Sequence, residues 1–95
     1  MMAGGFKAVT DATPEIKEWV KKFKGAVESK VGKEFETFEA VKYTSQVVAG
    51  TNYKIKLHIG SDKYIHLKIH KPLPISHMAE SIKEIEEGKT LEDAL

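Results

Sequence analysis

"YKIKLHIGSDKYIHLKIH", residues Tyr53 to His70, decides the fold. Tyr53, Ile55, Leu57 and Ile59 point one way while Lys54, Lys56 and His58 point the other, the period of two of a half-buried strand. Gly60-Ser61-Asp62 supplies a turn. Beyond it Ile65, Leu67 and Ile69 alternate with Tyr64, His66, Lys68 and His70. The pair is an antiparallel hairpin with one apolar and one wet face, and the apolar face needs a cover.

The cover lies upstream. Thr13-Pro14 is a helix start, a hydroxyl cap followed by proline at the first helical position. Ile16, Trp19, Val20, Phe23, Val27 and Val31 then recur at three- and four-residue steps as a buried stripe, with Trp19 read as core. Lys17, Lys21, Lys22 and Lys24 fall largely off the stripe on a solvated face. Gly32 is the expected stop, and Gly25 weakens the helix by roughly 1 kcal/mol relative to alanine. A further strand is expected from Phe35 to about Val47. The prediction is an α+β fold: a single N-terminal helix wrapped by an antiparallel β-sheet, all 95 residues forming one domain with residues 1–12 as a flexible arm.

Composition excludes several classes. A 41% apolar and 31% charged chain is an ordinary globular sequence, and a net charge of +1 gives no electrostatic case for nucleic acid or an anionic membrane. All 15 basic residues are lysines, so the two-pronged guanidinium grip on phosphate is missing. The absence of cysteine rules out a disulfide framework, a thiol nucleophile and a thiolate metal site. No basic segment leads into an apolar run and no stretch is long enough to span a bilayer, so a cytoplasmic location is expected.

Two stretches do not fit a plain hairpin sheet. Gln46-Val47-Val48-Ala49-Gly50 puts two β-branched apolar residues at a turn, and Lys71-Pro72-Leu73-Pro74 displays a leucine between two prolines that cannot join a ladder. An antiparallel meander puts these two turns at one end and the Gly60 turn at the other. Gly4-Gly5, in the arm entering the helix, can approach the same rim. Taken singly, each has a plain reading: a strand end packed on the core, an ordinary turn, a frayed terminus.

Together they resemble a known family. Gln46 to Gly50 is the QVVAG signature of the cystatins. With Thr51-Asn52-Tyr53 behind it, the arm glycine Gly4, the Leu73-Pro74 loop and no cysteine, the chain resembles a stefin, or type 1 cystatin, over roughly Met1 to Pro74. The resemblance implies a reversible, noncovalent inhibitor of papain-like cysteine proteases such as lysosomal cathepsins. A three-part wedge is then expected to fill the active-site cleft. Gly4 and Gly5 would lie on the unprimed side, Gln46, Val47, Val48, Ala49 and Gly50 over the catalytic region, and Leu73 and Pro74 on the primed side. The other class is a non-inhibitory binding module on the same scaffold.

No enzyme activity is expected, since neither Ser45 nor Ser61 has a visible triad. No cofactor is expected either. His58, His66 and His70 share the wet face without a carboxylate, too little for a metal site. Valines at a turn suggest stored strain, so the expected state is a monomer with a domain-swapped dimer as a second form that straightens the turn and loses inhibition. After Pro74 the resemblance weakens. Met78, Ile82 and Ile85 have helical steps, while family position asks for a closing strand, and residues 76–87 stay open between the two.

Overall fold

The computed structural model describes residues 6–95. Its helix starts as expected: Thr13 is extended, and its Oγ1 accepts from the Ile16 N–H at 3.2 Å ahead of Pro14. The helix runs as α1 (Pro14–Val20), a tighter 3-10 turn at Lys21–Phe23, and α2 (Lys24–Val31). It ends where Gly32 turns left-handed, φ 73°, and donates its N–H to the Glu28 carbonyl. Ile16, Val20, Phe23 and Val27 form its buried stripe.

Five antiparallel strands follow the order of the chain: β1 (Thr10–Asp11), β2 (Glu39–Val48), β3 (Gly50–Gly60), β4 (Lys63–Lys71) and β5 (Ser81–Lys89). Ile55 pairs with Leu67 and Leu57 with Ile65, so one face of the central hairpin becomes the floor on which the helix stripe rests. This is the expected α+β fold. The strand placed from Phe35 begins only at Glu39. Phe35 itself is buried in the approach loop, stacked on Phe38, and its N–H goes to the Glu28 carboxylate at 2.8 Å rather than to a ladder.

The residues left open between helix and strand become β5. Its register explains the helical spacing of its apolar residues. Ile82 faces Ile69 and Glu84 faces Lys68, leaving Lys83 as an extra residue, and Ile85 then faces Leu67. One bulge brings two isoleucines three apart onto the core side of a strand. The edge of β4 is thereby covered.

Two expectations need correction. The arm, expected to be flexible through residue 12, is tied to β2 within its described part. Lys7 donates its N–H to the Ser45 carbonyl at 2.9 Å, Thr44 Oγ1 donates to the Lys7 carbonyl, and β1 pairs Thr10 with Tyr43. Thr44 is buried, so its hydroxyl needs that partner, which is why the segment lies down.

Nor is the outer face of the hairpin simply wet. Lys56 is only 2% exposed and His66 5%. The segment after β5 folds back across them. The Lys56 ammonium donates to the carbonyls of Thr90 (2.9 Å), Leu91 (2.5 Å) and Asp93 (2.5 Å), one acceptor for each of its three protons. Asp93 fixes the bend by accepting the Thr90 N–H at 2.8 Å.

Burial, with the Lys56 and Lys89 ammoniums nearby, pushes His66 below the ordinary imidazole value of 6.5, while Glu86 and Asp93 act the other way. An unfolded chain takes up this proton near pH 6.5, whereas the folded chain resists it until lower pH. Stability therefore falls as pH drops through that range. The loss of Tm between about pH 7.5 and about pH 5.5 is expected to be smaller for His66→Gln than for the parent. An equal or larger loss in thermal denaturation contradicts the assignment.

Candidate protease-binding edge

The β2–β3 turn is as short as a hairpin allows. Val48 pairs with Gly50 across the single residue Ala49. Val47 and Val48 lie in extended strand, so the strain expected at these valines is not there. The left-handed residue of the turn is Gly50, φ 103°, where glycine carries little penalty. Val47 is 56% and Val48 42% exposed, and Ala49 at the apex is open as well.

Gly50 also explains how two turns share one edge. A side chain there would meet the Lys71 carbonyl oxygen at 2.5 Å and the Pro72 Cα at 3.0 Å, so the backbone of the second loop runs directly against it. Leu73, 49% exposed, leads from that contact into a 3-10 turn at Pro74–Ser76. The Gly60 turn is at the far end of the same strands. Gln46 to Gly50 and Leu73-Pro74 are therefore adjoining, as the meander requires. Gly4 and Gly5 lie outside the described residues, but the chain that follows them is clasped at Lys7 to Ser45, one residue from Gln46.

Behind the turn runs a polar row that the sequence pattern alone did not single out. Gln46, Asn52 and His70 sit directly opposite one another on β2, β3 and β4. Asn52 Nδ2 donates to Gln46 Oε1 at 3.0 Å, and His70 Nδ1 donates to Asn52 Oδ1 at 2.7 Å. Three strand ends are thus bolted together just under the apolar tips. Their alignment across strands was the available signal, once the hairpin register was drawn. Two exposed apolar side chains were also missed, Ile75 and Met78, both on the second loop. Ile75 directly follows Pro74, on a segment that no strand claims.

The edge carries little charge of its own. Lys71 and Glu80 flank the second loop, and the Glu80 carboxyl is held below the usual carboxylate range by a hydrogen bond from Lys22 and one from Trp19, against the opposing effect of burial. Among the described residues no three His, Asp or Glu side chains gather as metal ligands. His70 is engaged with Asn52, and His58 Nε2 lies 2.5 Å from the Ser61 carbonyl.

The cystatin domain family matches residues 4–92. Cystatin-A1 of Sus scrofa is 44% identical over 95 residues, covering all of this chain and 92% of that protein. Leukocyte cysteine proteinase inhibitor 1 of Sus scrofa is 45% identical over 97 aligned positions, with the same coverage. Cystatin-B of Oplegnathus fasciatus is 38% identical over 95 residues, covering 95% of its length.

Gly50→Ala tests whether the two turns depend on each other. Strain at the left-handed position and the clash with Lys71 are expected to cost about 1–3 kcal/mol. Tm falls, and the amide NMR signals of Lys71, Leu73 and Ile75 shift. Parental stability with those signals unmoved contradicts the close approach.

Proposed function

This chain belongs to the cystatin family as a stefin, and we propose that it is a reversible, noncovalent inhibitor of papain-like cysteine proteases, lysosomal cathepsins among them. The observation that carries the reading is the bare apolar edge: Val47, Val48, Ala49 and Leu73 stand exposed on two turns locked together at Gly50.

Such an edge is shaped for a narrow cleft. Valine, alanine and leucine side chains gain about 25 cal/mol for each Å² of apolar surface removed from water. The hairpin, the polar row and the prolines are ordered before docking, so little conformational entropy is lost on binding. Gln46 to Gly50 lie over the catalytic cysteine and histidine. Leu73 and Pro74 take the primed side. Gly4 and Gly5 take the unprimed side, where the lack of a Cβ lets the backbone enter a tight groove. The turn fills the site without offering a carbonyl in line with the nucleophile, so it blocks the enzyme and is not cleaved. The chain supplies no catalytic group and needs no cofactor.

The active form is the single domain as a monomer, in which the Val48–Gly50 hairpin presents the central contact. A dimer that exchanged this hairpin would lose the central contact. Cytoplasm is the proposed location. No helix among the described residues is long and apolar enough to cross a membrane.

Titration against papain tests the proposal. The monomer is expected to inhibit stoichiometrically, and a dimer isolated by size exclusion after mild heating to inhibit poorly. Val48→Asp, which forces a carboxylate into the cleft, weakens inhibition by about a hundredfold or more. No inhibition by the parent at micromolar concentration makes this edge a non-inhibitory binding surface. Parental affinity in Val48→Asp removes the turn from the contact.

A further inference from the structure

The second loop has stems but few fastenings. The hydrogen bonds within residues 72–79 stay inside the loop: Ser76 N–H and Oγ to the Leu73 carbonyl, His77 N–H to the Pro74 carbonyl, Met78 N–H to Ser76 Oγ. What orients the loop must act at its two ends, Lys71 where β4 closes and Glu80 just before β5 opens.

Both ends meet at Trp19. The indole N–H donates to Glu80 Oε2 at 3.1 Å, and Lys22, three residues along the same helix, pairs with Glu80 Oε1. The Lys71 ammonium lies 5.8 Å from the centroid of the Trp19 ring. The ring itself is held edge-on by Phe23 at 5.4 Å and Tyr53 at 4.9 Å, which ties it to the core. Trp19 is therefore more than a core side chain, because one face and one N–H of its indole reach the stems of the loop.

We propose that Trp19 and Glu80 are positioning residues for the second loop, fastening its stems to the helix so that Leu73 is presented to the protease already in place. The role deepens the inhibitory reading above and rests on it. Neither residue needs to touch the enzyme. Loss of the clamp leaves the apolar side chains present but loosely held, and the ordering cost then falls on the complex.

Dissociation from papain, followed for a set of variants, is the test. Glu80→Ala is expected to raise the dissociation rate about tenfold with association within about twofold of the parent. Glu80→Gln, whose amide oxygen still accepts the indole N–H, stays within about threefold of the parent. In a Leu73→Ala background the further change Glu80→Ala has less than about a twofold effect, because the contact it positions is gone. Should Glu80→Ala lose its fold by circular dichroism, Trp19→Phe, which keeps a ring and drops the N–H, is read in the same way. A parent that inhibits while Glu80→Ala dissociates at the parental rate, or loses as much without Leu73, overturns the positioning role alone. A parent that does not inhibit papain removes the inhibitory reading and the positioning role together.

Discussion

The closeness of two backbones at Gly50 is the constraint on which the rest depends. The carbonyl of Lys71 occupies the space where any Cβ at that position would go. That contact lets a one-residue turn and a proline-stiffened loop form a single continuous edge rather than two separate tips. The Gln46–Asn52–His70 row beneath it holds the three strand ends in register, and the helix steadies the far side of the loop through Trp19. Apolar side chains that would otherwise be a liability in water are held rigid and outward, with their ordering cost met during folding.

The remainder of the sheet is built to free this edge. The helix stripe and the inner faces of β3 and β4 bury nearly all the large aliphatic side chains of the hairpin. β5 closes one side of the sheet, and the short β1 lies along the other. The outer face is partly sealed by the chain after β5, through an ammonium that meets three carbonyls. Burial pushes the Lys56 pKa down, while the three carbonyls fill its hydrogen-bonding capacity and the Asp93 and Glu92 carboxylates act the other way. Exposed apolar surface is thus concentrated on the turns and loops, and most heavily on the Val47 and Leu73 segments.

Much of this was legible in the residues, for identifiable reasons. Thr13-Pro14 and Gly32 bracket the helix because caps are local chemistry, and the alternation from Tyr53 to Ile69 is local geometry. Val47, Val48 and Leu73 stood out because they are apolar where water should be. The rest depended on partners far along the chain. Ile82 and Ile85 carry a helical spacing that only pairing with β4, with Lys83 as the extra residue, converts into a strand. Lys56 reads as a solvated lysine until the backbone of Thr90 to Asp93 arrives over it. Ile75 and Met78 give no such signal, because the residues after Pro74 read as the start of an element and only the β4–β5 pairing leaves them on a loop.

Amide hydrogen exchange of the chain, free and bound to papain, tests most directly whether the two adjoining turns are what the protease receives. Exchange is expected to slow at Val47 to Gly50 and at Leu73 to Met78, and to stay unchanged at the Gly60–Lys63 turn and under the segment after β5. Slowing confined to the Gly60 end or to the outer face, with Val47 to Gly50 unaffected, contradicts the account.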